Sequence, residues 1–114
     1  MASLTQMSVS TLMVQQEIDL TVLGIQGDPT VYPVEMAFML YPNYGDPPNP
    51  GNSDWHTASW ETDSNGLLPV YWAQSLVGPD NGGTVLAAGR YKIAVKVTTG
   101  TEVPALWGWD LVIT

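Results

Sequence analysis

The sequence predicts an all-β fold, a two-sheet antiparallel sandwich of about seven to eight strands in a single domain covering residues 1–114. Three observations lead to it. Pro or Gly interrupts nearly every window of helical length. The runs that remain alternate apolar and polar residues with period two and are rich in Val, Ile, Thr, Trp and Tyr. Clusters of Asn, Asp, Gly and Pro then separate these runs at the spacing of a sandwich.

Strands are expected near 7–14 and at 17–25, 33–41, 54–62, 67–77, 90–99 and 105–114. Alternation assigns their faces, because successive side chains of a strand point to opposite sides. In 17–25 the buried row is Ile18, Leu20 and Val22, and in 33–41 it is Val34, Met36, Phe38 and Leu40. In 90–99 it is Tyr91, Ile93, Val95 and Val97, which turns Arg90, Lys92, Ala94, Lys96 and Thr98 outward. In the last strand Trp107 and Trp109 share a face with Leu111 and Ile113. Pro69 cannot donate to a ladder, so its strand is expected at an edge or at a bulge.

Three connections stand out. The stretch YPNYGDPPNPGNS (41–53) carries four prolines and three asparagines and reads as a long loop. DSNG (63–66) and GPDNGG (78–83) hold residues that tolerate positive φ and read as turns. LAAGRY (86–91) places Leu and Gly ahead of a Tyr that opens a core strand, the pattern of the tyrosine corner in immunoglobulin-like sandwiches. The phenol of Tyr91 is therefore expected to bond a backbone group upstream, as a stabilising device.

Composition narrows the function. The chain has three basic and eleven acidic residues, a formal net charge of −8, so it repels nucleic acid, whose binding rests on Lys and Arg. Anionic membrane surfaces are disfavoured by the same sign. The absence of cysteine removes disulfides, thiolate catalysis and cysteine metal sites. No signal-peptide pattern or membrane-length apolar run is read from the chain, which points to synthesis in the cytoplasm. Charged residues make up 12% of the chain, about half the usual share, and leave an exterior suited to being covered.

The candidate interaction residues are Trp55, Trp60, Trp107 and Trp109 and the cations Arg90, Lys92 and Lys96. Five tryptophans, at 55, 60, 72, 107 and 109, exceed what a thin sandwich core absorbs. Trp55 and Trp60 fall on opposite faces of their strand, so at least one indole points outward, toward a protein partner or a sugar ring. All three cations, Arg90, Lys92 and Lys96, lie on one strand. They are expected either to pair with carboxylates on a neighbouring strand, Glu35 or Glu17, or to form a docking stripe for an acidic partner, another copy of the chain included. His56, with Asp54 and Glu61 nearby in sequence, does not make a metal or acid/base constellation, since one histidine with scattered carboxylates and no cysteine offers no ligand set at a recognisable spacing. No catalytic residue, metal or cofactor is assigned.

The ordered segments VEMAFMLYP (34–42), WHTASWET (55–62), LVGP (76–79), LAAGRYKIAVKVTT (86–99) and EVPALWGWDLVI (102–113) resemble a family of small β-sandwich proteins encoded among the virion genes of actinobacterial tailed phages. The resemblance covers most of the chain from Val34 onward and carries nothing over to the 41–53 loop. It implies a non-enzymatic virion component, associated with the capsid as a decoration or minor capsid protein or placed at the head–tail region. The major capsid protein, other virion proteins or copies of itself would be its partners. A carbohydrate-binding or host-adhesion module using Trp55, Trp60 or Trp107, and a tail component, are the alternatives.

Overall fold

The computed structural model describes residues 3–7, 9–25, 27–41, 47–65, 68–100 and 102–114. The rest, which include 42–46 of the proline-rich loop and 66–67 of the expected DSNG turn, lie outside the described residues. The chain is all-β, with strands β1 (Ser3–Gln6), β2 (Leu12–Glu17), β3 (Val34–Leu40), β4 (His56–Asn65), β5 (Leu68–Val77), β6 (Gly89–Val97) and β7 (Ala105–Ile113). They form one mixed sheet in the order β1-β7-β6-β3-β4-β5-β2, nearly closed into a barrel. The expectation of two separate antiparallel sheets is thus met only in its all-β character. β4 makes the difference: it pairs with β3 through His56–Ala58 and with β5 from Ser59 to Asn65, carrying the ladder around a corner. β1 adds the parallel element, alongside β7.

The expected strand 17–25 is not one. β2 ends at Glu17, and a single helical turn, α1, covers Leu20–Leu23. The local chemistry explains it. Asp19 Oδ1 accepts the Thr21 N–H at 2.9 Å, as an N-cap does. Gly24 takes φ 69°, and the Ile25 N–H closes back on the Leu20 carbonyl at 3.0 Å, the behaviour of a C-terminal glycine. The turn packs Leu20 and Leu23, three apart, against the core together with Ile18 and Ile25. Among the described residues of the strand expected near 7–14, only 12–14 are extended, as the start of β2; ahead of them the Ser10 N–H bonds the Met7 carbonyl, and β1, which was not expected, ends at Gln6.

Pro69 is not on an edge strand, since β5 lies between β4 and β2. It is tolerated because the β2 ladder reaches only to Trp72, so no β2 partner stands opposite Pro69. The strand β4 also continues through Asp63–Asn65, residues expected in the turn. The GPDNGG turn forms as expected, with Asn81 at φ 58° and Gly82 at φ 76°.

One core fills the barrel. Val34, Met36 and Phe38 of β3, the row Tyr91, Ile93, Val95 and Val97 of β6, and Leu111 and Ile113 of β7 are buried in it with Val14, Ala73 and Val77. Each Val, Leu, Ile, Met or Phe among them contributes roughly 1.5–3 kcal/mol through burial. The Tyr91 hydroxyl donates to the Ala87 carbonyl at 2.8 Å, which is the tyrosine corner expected of LAAGRY.

Two glutamines span the gap between the sheet's ends. Gln6 Nε2, on β1, donates to the Val77 carbonyl of β5 at 2.9 Å and to the Ser10 carbonyl at 3.1 Å. Gln16, on β2, accepts the Trp109 N–H of β7 at 2.7 Å. That N–H is turned out by a β-bulge. Lys92 and Ala94 of β6 oppose Asp110 and Trp107, so three steps of β7 run against two of β6. An added Cβ at Gly108, inside the bulge, would clash with Gln16, so the glycine is there for close approach.

Candidate functional site

The bulge re-aims the last strand. Before it, Leu106 lies opposite Val95 and packs on the core, while Trp107 opposes Ala94 and is 40% exposed on the outer face. After it, Leu111 and Ile113 are core. Trp107 therefore does not share their face, a correction to simple alternation, which an extra residue shifts by one.

The outer face of β3, β6 and β7 carries the three cations as expected. Lys96 Nζ lies 3.6 Å from Glu35 Oε1 and 4.6 Å from the ring centre of Trp55. Of the two expected carboxylate partners, Glu35 is used, because β3 is β6's neighbour; Glu17 is on β2 at the far end of the sheet order. Trp55 covers the small side chains Ala37 and Ala94, and Met39 beside them. Arg90 and Lys92 converge on Asp110, at 2.9 Å and 3.3 Å. Side-chain exposure is 45% for Arg90 but 13% for Lys92 and 22% for Lys96, so the row is largely committed to pairs within the chain.

Asp110 is the centre that pattern reading missed. Its carboxylate is buried and also accepts the Tyr41 hydroxyl at 2.7 Å. Burial opposes its ionisation, but hydrogen bonds from Tyr41, Arg90 and Lys92 outweigh that penalty and hold it below the ordinary carboxylate range. Burial, reinforced by the Asp110 hydrogen bond, raises the Tyr41 phenol. The Arg90 guanidinium is raised chiefly by its hydrogen bond to Asp110. The signal in the sequence was the lone Asp in the apolar run WGWDLVI.

The other tryptophans divide by position. Trp60 faces the core and donates its indole N–H to the Tyr32 carbonyl at 2.8 Å. Trp109 stands at the gap between β7 and β2, in a T-shaped pair with Trp72, ring centres 6.0 Å apart. Two clefts meet at Trp109. One of about 280 Å³ is floored by Leu4, Leu12 and Leu111; the other, about 580 Å³, is lined by Glu17, Asp19, Tyr71 and Trp109.

Among the described residues, six of the nine exposed large apolar side chains lie at one end of the barrel, the exceptions being Val31, Val103 and Trp107. The register brings the ends of β1, β3, β5 and β7 together with the starts of β2, β4 and β6 there. Met7, Val9, Leu12, Met13, Leu40 and Val85 lie at or beside these strand ends, each between 49% and 74% exposed. Beside them, the Asp80 N–H donates to Thr11 Oγ1 at 3.0 Å, and Gly78 sits against the backbone of Ser10 and Thr11. Sequence alternation did not find this cluster, because it places side chains on faces and not on ends.

His56 stacks on Phe38 with ring centres 6.4 Å apart, and Asp54 accepts the Gly51 N–H at 2.7 Å. Among the described residues no three His, Asp or Glu side chains come together as a metal site. Among them, too, no helix is long and apolar enough to cross a membrane. No protein-family model, curated protein or solved structure matches this chain.

Proposed function

We propose that this chain is a non-enzymatic structural component of a tailed-phage virion, capsid-associated, which docks on neighbouring virion proteins through the apolar end of its barrel. The carrying observation is the cluster of Met7, Val9, Leu12, Met13, Leu40 and Val85 at one end. Large apolar side chains exposed together on a rigid frame mark a surface made to be covered. The core and the Asp110 and Glu35 ion pairs supply the rigidity, and the acidic remainder keeps free copies apart in solution. The resemblance of the quoted segments to small virion proteins of tailed phages supports that setting. Repetition on a large assembly lets modest contacts hold many copies.

The test is made on purified particles of the phage that encodes the chain. Copy number against the major capsid protein is read from a stained gel; a number matching the shell supports decoration, and a ring-sized number a neck or tail position. The double variant Met7→Glu/Val9→Glu alters exposed positions and is expected to fold normally. It should lose about tenfold or more in affinity for the particle. Absence of the wild-type chain from particles, or full occupancy by the variant, refutes the proposal.

A further inference from the structure

A second surface, away from the apolar end, has the form of a receptor for a positive charge. On the outer face of β4, β5 and β2, the register sets Trp72 between Glu17 on one side and Glu61 on the other. Directly opposed cross-strand residues have Cβ atoms about 4.5–5.5 Å apart, so two carboxylates flank one indole. Both glutamates are exposed and Trp72 is half-buried, steadied by a T-shaped contact with Trp109. The cleft of about 580 Å³ that Glu17 lines with Tyr71 and Trp109 opens beside them. Among the described residues, no cation lies within ion-pair distance of Glu17 or Glu61.

The opposite outer face shows the same grouping with its cation in place. There Lys96 Nζ sits 4.6 Å from the Trp55 ring centre and 3.6 Å from Glu35, so indole, carboxylate and ammonium complete one another. Around Trp72 the indole and two carboxylates are present and the cation is not. No Lys or Arg of the chain supplies one, since all three lie on β6 and pair with Asp110 and Glu35.

We infer that this face binds a basic segment of a partner protein, seating a Lys or Arg side chain on Trp72 between Glu17 and Glu61. The attraction combines the negative face of the indole ring with complementary charge, which also steers the encounter. A neutral sugar would use the stacking but would draw nothing from the paired negative charge, so the cationic partner fits the surface better. This contact is independent of docking through the apolar end, and either can fail without the other.

The experiment is an NMR titration of the ¹⁵N-labelled chain with a capped tetralysine peptide at low ionic strength, following the indole N–H signals. Trp72 is assigned by its loss in Trp72→Phe. Saturable shifts are expected at Trp72 and Trp109. Glu17→Gln and Glu61→Gln should each weaken binding about 2–5-fold, with thermal unfolding confirming that both variants remain folded. A control of equal net charge, Asp80→Asn, should leave the affinity within about twofold of wild type. Equal weakening by the control would reduce the effect to net charge and overturn the site. So would indole shifts produced by maltohexaose in place of the peptide, or the absence of any saturable shift.

Discussion

Replacing Asp110 by Asn tests whether the cations of β6 serve the fold. The side chain keeps its size, and its carbonyl can still accept the Tyr41 hydroxyl, now 2.7 Å from the carboxylate. The charge that holds Lys92 at 3.3 Å and Arg90 at 2.9 Å is lost. The Arg90 side chain is 45% exposed, so water screens its pair and it contributes little. Lys92, 13% exposed, is less well screened, and a charge-assisted contact of that kind contributes about 1.5–3 kcal/mol. The variant should therefore be less stable by about 2–3 kcal/mol at pH 7, a fall of roughly 10 °C in Tm for a domain of this size. Thermal unfolding followed by tryptophan fluorescence measures it. The contribution also has a pH signature. Because the folded-state pKa of Asp110 lies below its ordinary value, the stabilisation is complete above about pH 4 and is lost as pH falls through the folded value. The gap between wild type and variant should accordingly close in acid. A variant as stable as wild type at pH 7, or a gap unchanged in strong acid, would refute the reasoning.

Other outcomes follow from the same structure. Gly108→Ala should drive Gln16 off the Trp109 N–H and cost about 1–3 kcal/mol; in a Gln16→Ala background most of that penalty should disappear, which a double-mutant cycle in urea would show. Ile93→Ala, at a fully buried position, should cost about 2–5 kcal/mol, read as a lower urea midpoint with unchanged m. Tyr91→Phe removes the bond to Ala87 and should cost about 1 kcal/mol at neutral pH. Burial raises the Tyr91 and Tyr41 phenols above their ordinary value, so their stabilisation is complete below about pH 10 and lost as pH rises through the raised values. Tyr91→Phe should lose less stability than wild type over that alkaline range, by circular dichroism.

Period-two patterning was enough for the all-β class, for the buried row Tyr91, Ile93, Val95 and Val97, and for the outward turn of Arg90, Lys92 and Lys96. Those are local properties, since alternation on one strand needs no knowledge of the next. The turn at 20–23 was also written locally, in Asp19 and Gly24, but the alternation of Ile18, Leu20 and Val22 overrode it. Leu20 and Leu23 satisfy a helical turn as readily as Leu20 and Val22 satisfy a strand.

By itself, then, the sequence determined the all-β class, the buried row of β6, and that positive charge is confined to one strand. Only the tertiary structure decided which strands are neighbours, and so everything that depends on pairing. It matched Lys96 with Glu35 and not Glu17, and buried Asp110 beneath two cations. It also bulged β7 so that Trp107 turned outward, and brought six exposed apolar side chains to one end of the barrel. The physical reason is that register and sheet order are set by contacts between residues far apart in the chain. Such contacts are chosen by how the whole core packs, and no single segment records them.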